Sequence, residues 1–139
     1  MSTVTGSCVC GAVKYSADIS SSVKAVCHCL NCQRRTASAF SVNIIISEEL
    51  FRITQGTTKK SCYIADSQKP YNTHFCGHCG STLYGKPEAF PGTISIKAGS
   101  LDEPFTNLGS INAEAFTKRR RDYIQPLEGV KQVEGMISP

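Results

Sequence analysis

The sequence predicts a mainly β protein whose antiparallel sheets are pinned by metal. Three observations carry that prediction. Short runs rich in isoleucine, threonine and aromatic residues recur along the chain, bounded by Gly, Pro, Asp and Ser. Seven of the eight cysteines are bunched as CxC, CxCxxC and CxxC, spacings that bring several thiolates to one point, as a metal site requires. The longest apolar run, "AFSVNIII", is strand length and far short of the roughly 20 residues of a membrane helix.

Taken in order, "CVCG" (Cys8 to Gly11) is a metal knuckle, and "AVKYSA" (Ala12 to Ala17) alternates as a strand. "SVKAVCHC" (Ser22 to Cys29) is a strand running into a second knuckle, and "NCQRRTASA" (Asn31 to Ala39) suits a short helical turn. Strands are then expected in "AFSVNIII" (Ala39 to Ile46), "LFRITQG" (Leu50 to Gly56), "TKKSCYIAD" (Thr58 to Asp66) and "YNTHFC" (Tyr71 to Cys76). The last of these leads into the knuckle "CGHCG" (Cys76 to Gly80), and "TISIKAG" (Thr93 to Gly99) and "NAEAFTK" (Asn112 to Lys118) follow. No repeat or long linker divides the chain, so one domain over 1–139 is expected.

Disulfides suit exported proteins. The start "MSTVTGSCVCG" has no basic stretch followed by an apolar one, so a cytoplasmic protein is expected. A redox CxxC belongs at a strand-to-helix junction in a βαβ unit, a context missing around Cys76 and Cys79. Metal is the better reading. Two knuckles distant in sequence, Cys8 with Cys10 and Cys76 with Cys79, can close one four-thiolate structural site. That leaves "CHCLNC" with three thiols: Cys27, Cys29 and Cys32. His28 alternates with its cysteine neighbours, so in an extended segment it points away from them. His74 and His78 are expected beside a site or on the surface. A three-thiolate zinc keeps an open position, where an incoming thiol loses its proton. Arg34 and Arg35 can hold the carboxylate of an anionic substrate; alternatively one faces solvent and the other packs against the negatively charged zinc–thiolate cluster. Cys62 stands alone and reads as a buried small hydrophobe.

The formal charge is +4. Seven thiolates offset by two divalent cations lower it by three, to about +1. "KRRR" (Lys118 to Arg121) is the one dense basic run, too little for a nucleic-acid surface. The aromatic residues Phe40, Tyr71, Phe75, Tyr84 and Phe90 serve a core or line a cleft.

The stretches "GSCVCGAVKY", "CHCLNCQRRTASAF", "FCGHCGSTLYG" and "GSLDEP", with the tail "AEAFTKRRRDYIQPLEGVKQVEGM", resemble the glutathione-dependent formaldehyde-activating enzyme (GFA) and CENP-V family. The resemblance implies an Mss4-like fold of zinc-pinned β-sheets. It implies a structural zinc on Cys8, Cys10, Cys76 and Cys79 and a second, catalytic zinc on Cys27, Cys29 and Cys32. The implied activity is that of a carbon–sulfur lyase or synthase. Such an enzyme condenses glutathione with formaldehyde to S-hydroxymethylglutathione, or acts on another aldehyde or glutathione conjugate. Glutathione is the implied co-substrate. The alternative is a non-catalytic zinc protein that carries a thiol adduct or binds a macromolecule. Members often carry a glycine in the loop before "FC"; here the loop "ADSQKPYNTH" has none.

Overall fold

The computed structural model describes residues 2–137. In chain order its elements are β1 (Thr3–Ser7), β2 (Lys14–Asp18), β3 (Val23–Cys27), α1 (Leu30–Thr36), β4 (Ser41–Ser47), β5 (Phe51–Gln55) and β6 (Lys59–Ile64). There follow β7 (Pro70–Phe75), β8 (Thr82–Pro87), β9 (Thr93–Lys97), β10 (Ala113–Ala115) and β11 (Lys131–Gln132). The protein is mainly β with one short α-helix. No helix among the described residues is long and apolar enough to cross a membrane. The chain forms two units, Met1–Ser22 with Ile44–Asn107, and Val23–Asn43 with Leu108–Pro139. The chain passes from the second unit to the first within β4, between Asn43 and Ile44.

The first unit holds a three-stranded antiparallel sheet in the order β1-β2-β5. It also holds the antiparallel run β9-β8-β7-β6. Burial alternates with period two in β1, where buried Val4 and Gly6 follow exposed Thr3 and Thr5 in turn. Gly6 lies opposite Tyr15, and a Cβ there would fall 2.1 Å from the Tyr15 ring. The ring needs that space because it is almost wholly buried and its hydroxyl pairs with Ser100 Oγ at 2.6 Å. Burial pushes the phenol up to about 12. Tyr15 begins an aromatic row: its ring packs on Phe51 (5.1 Å), Phe51 on Tyr84 (4.6 Å), and Tyr84 on His74 (4.5 Å, 8° from parallel). Tyr84 is thus a core residue.

The loop without glycine closes the β6–β7 hairpin. Ala65 N–H donates to Lys69 O and Gln68 N–H to Ala65 O, both at 2.9 Å. Gln68 takes the left-handed φ of 68° that glycine usually supplies. Cys62 departs from expectation. It lies on β6 with exposed Lys60 and Ile64, while Ser61 and Tyr63 take the covered face. A period of two in β6 cannot bury both sets.

The second unit pairs β10 with β3 and with β11, both parallel. The sequence predicts a mainly antiparallel protein, and these two parallel pairs are the exception. Hairpins force antiparallel pairing, but β3 and β10 are distant in the chain, so no short turn sets their direction. Among the described residues of this unit Ala25, Val26, Cys29, Ala39, Ala113, Ala115 and Phe116 are the buried apolar ones.

Replacing Gly6 with alanine should force the Tyr15 ring out of its seat. Gly6→Ala is expected to cost about 1–3 kcal/mol, read as a lower denaturant midpoint with an unchanged slope.

Candidate metal centres

Two glycine-ended turns, one a residue longer than the other, build the first centre. Cys8 follows β1, and Gly11 N–H returns to Cys8 O at 3.0 Å. Cys76 follows β7, and Gly80 N–H returns to Cys76 O at 2.8 Å. Gly11 and Gly80 have φ of 79° and 81°. A Cβ on either would meet nothing within 4 Å, so glycine is required by backbone angle rather than by space. Each turn aims an amide at its leading sulfur: Val13 N–H donates to Cys8 Sγ at 3.3 Å and His78 N–H to Cys76 Sγ at 3.4 Å.

The sulfurs of Cys8, Cys10, Cys76 and Cys79 all lie within 4.8 Å of one another. Cys8 and Cys10 are 3.6 Å apart, Cys10 and Cys76 3.8 Å. A tetrahedron of zinc–sulfur bonds of about 2.3 Å has edges of about 3.8 Å, so this donor set fits zinc. The Ser81 hydroxyl, 3.2 Å from Cys79 Sγ, and nearby amides draw the Cys79 thiol down to about 5.

The second centre forms where β3 becomes α1. Cys27 ends the strand, and Cys29 is the N-cap of the helix, extended at φ −61° and ψ 156°. Cys32 lies in the first turn, and its N–H donates to Cys29 Sγ at 3.3 Å. The i, i+2, i+5 spacing follows from this change of period. The three sulfurs lie within 4.8 Å of one another, with no fourth Cys, His, Asp or Glu ligand atom among the described residues. Ala115, Phe116 and Ile137 pack around them. Hydrogen bonds with Cys29 and Cys32, and then burial, push the Cys27 thiol far up. A bound cation would relieve that crowding.

His28 does point away. Its Nε2 donates to Glu114 Oε1 at 2.7 Å, and both side chains are fully buried. Glu114 is a hub that the sequence reading missed. Its Oε2 accepts Leu127 N–H at 2.8 Å and Gln132 Nε2 at 2.7 Å, and Arg120 stands 3.4 Å from Oε1. A lone acid between two alanines of a predicted strand was the available signal. Burial opposes its ionisation, but bonds from Gln132, His28 and the Leu127 amide, with the Arg120 charge, hold the carboxyl at about 2.

The other expected side chains are not among the clustered ligand atoms. Arg34 and Arg35 are exposed on the last turn of α1, where cations suit the helix dipole. Gln33 Nε2 donates to His28 O (2.8 Å) and Arg119 O (3.0 Å), joining the helix to the basic run. His74 Nδ1 pairs with Thr58 Oγ1 at 3.1 Å, and His78 is exposed. Phe40 meets the His28 ring edge-on, and Tyr71 stacks on Tyr63.

Two outcomes follow. Cys76→Ala should lose one metal and lower the folded yield, measured by metal analysis of the soluble fraction. Glu114→Gln should cost about 3 kcal/mol at pH 7, because it breaks a buried pair. The depressed carboxyl stabilises the fold above its ordinary value of 4.5 and loses that effect as pH falls toward about 2. The stability gap between the native protein and Glu114→Gln should therefore narrow over that interval in denaturant titrations.

No curated protein matches the chain. Among solved structures, a Rhodobacter sphaeroides protein is 20% identical, covering 77% of this chain and 96% of that chain with a TM-score of 0.56. At that identity the likeness concerns the fold. A family model described as glutathione-dependent formaldehyde-activating enzyme matches residues 3–119. That span holds all seven clustered cysteines, and the chain belongs to the glutathione-dependent formaldehyde-activating enzyme family.

Proposed function

We propose that the protein is a zinc-dependent carbon–sulfur lyase or synthase. It joins glutathione to an aldehyde, as an S-hydroxymethylglutathione synthase does, or acts on a glutathione conjugate. The observation that carries this reading is the three-sulfur cluster of Cys27, Cys29 and Cys32, which no fourth ligand side chain closes among the described residues. His28, the nearest candidate in sequence, is committed to Glu114. A zinc ion held by Cys27, Cys29 and Cys32 would supply Lewis acidity that favours the deprotonated form of a substrate thiol.

The chain's own residues divide the remaining work. Cys27, Cys29 and Cys32 hold the metal. Ala115, Phe116 and Ile137 shield their sulfurs, which strengthens electrostatic interactions at the site. Arg34 and Arg35 meet glutathione carboxylates with charge-assisted bonds. The substrate's sulfur adds to the aldehyde carbon, and the carbonyl oxygen takes up a proton. Cys8, Cys10, Cys76 and Cys79 would hold a structural zinc, four thiolates leaving no ligand position for substrate. Membership in the family supports this chemistry.

Cys29→Ala should abolish turnover of glutathione with formaldehyde while the circular dichroism spectrum persists. Zinc should fall from about two per chain toward about one. Arg34→Ala with Arg35→Ala should raise KM for glutathione and largely spare kcat. Tight binding of glutathione adducts without turnover, read by NMR, would instead favour a carrier.

A further inference from the structure

The triad's third sulfur has a neighbour outside the cysteine motif. Ser41 Oγ, on the first residue of β4, lies 3.0 Å from Cys32 Sγ. Asn43 Nδ2 lies 3.0 Å from Ser41 Oγ and 3.4 Å from Ala25 O. Ser41 and Asn43 are both buried. They sit at i and i+2 of β4, flanking Val42 and followed by three isoleucines, so both project to one side of the strand.

The direction of this chain of hydrogen bonds follows from its far end. A backbone carbonyl only accepts. Ala25 O therefore fixes the Asn43 amide with its NH₂ group toward β3. The second N–H of that group donates to Ser41 Oγ. Ser41 has one proton, and with Oγ engaged as acceptor it is directed at Cys32 Sγ. The sulfur is thereby cast as an acceptor, the role of a deprotonated, metal-holding thiolate.

The first centre repeats the device with different parts. Val9 N–H, which can only donate, lies 3.0 Å from Ser81 Oγ, and Ser81 Oγ lies 3.2 Å from Cys79 Sγ. In each centre a fixed N–H directs a serine hydroxyl onto the last cysteine of its motif. At the first centre the fixed donor is backbone; at the second it is a side chain.

We propose that Ser41 and Asn43 are positioning residues of the Cys27–Cys29–Cys32 centre. They orient the Cys32 thiolate and withdraw electron density from it, so that the metal it holds stays electrophilic. The proposal rests on the reading of that triad as a metal site. A hydroxyl donating to a thiolate stabilises its negative charge. Partners that orient a ligand in this way typically contribute about 10–100-fold to metal affinity.

The test uses the full chain loaded with zinc or cobalt. Zinc release is followed by competition with a colorimetric chelator, and the cobalt thiolate charge-transfer band is recorded. Ser41→Ala should weaken one zinc by about 10-fold, leave the other unchanged, and move the band to longer wavelength. Ser41→Thr, which keeps the hydroxyl, should restore both readouts to within about twofold. Asn43→Leu, with Ser41 intact but undirected, should shift them in the same sense as Ser41→Ala. Native affinity and an unshifted band in Ser41→Ala would overturn the proposal while leaving the triad a metal site. A native protein that binds only the four-cysteine metal would overturn the metal reading of the triad itself, and this inference with it.

Discussion

Sulfurs that lose their protons repel one another, and this chain gathers seven of them into two groups. Within each group the sulfurs lie no more than 4.8 Å apart. Without a cation they cannot all ionise: hydrogen bonds with Cys29 and Cys32, then burial, push the Cys27 thiol up, and repulsion from the two neighbouring sulfurs adds to the rise. With a divalent cation the same crowding becomes a tetrahedral or near-tetrahedral shell. Several local devices hold the sulfurs in place. Glycines of left-handed φ turn the knuckles, amides and serines donate to sulfur, and the N-terminus of α1 starts on a cysteine.

The two centres are built from different materials. Cys8, Cys10, Cys76 and Cys79 come from two tight turns after strands, each a self-contained loop closed by its own backbone bonds. Cys27, Cys29 and Cys32 depend on a change of secondary structure, from strand to cap to helix. That junction is held by Glu114, a buried carboxylate that joins His28, Leu127, Gln132 and Arg120. Both carboxylate oxygens of Glu114 are paired, while His28 Nδ1 and Arg120 Nε are buried without a hydrogen-bond partner among the described residues. Such a network is costly to disturb further, because each lost partner leaves another desolvated group unpaired. The segment after β10 is thereby tied to the cysteine junction.

Much of this was legible in the residues. The grouping of cysteines follows from spacing, and the outward aim of His28 from alternation. The strands rich in isoleucine and aromatics lie where their composition puts them. Other features were not legible because they depend on pairing across long sequence separations. The parallel register of β3 and β10 is set by burial, with no turn to announce it. Cys62 was placed inside because it is apolar, whereas the alternation of β6 gives the covered face to Ser61 and Tyr63. Glu114, Ser41 and Asn43 act through partners that a linear reading does not supply. Their one local sign is a polar residue interrupting an apolar strand.

The most direct measurement of the central claim is zinc X-ray absorption on the purified protein, with and without glutathione. One closed and one open centre predict an average of about 3.5 sulfurs per zinc at about 2.3 Å, rising to about 4 when glutathione is added. A sulfur count that does not change with glutathione, with a histidine nitrogen completing the second shell in both states, would contradict the account.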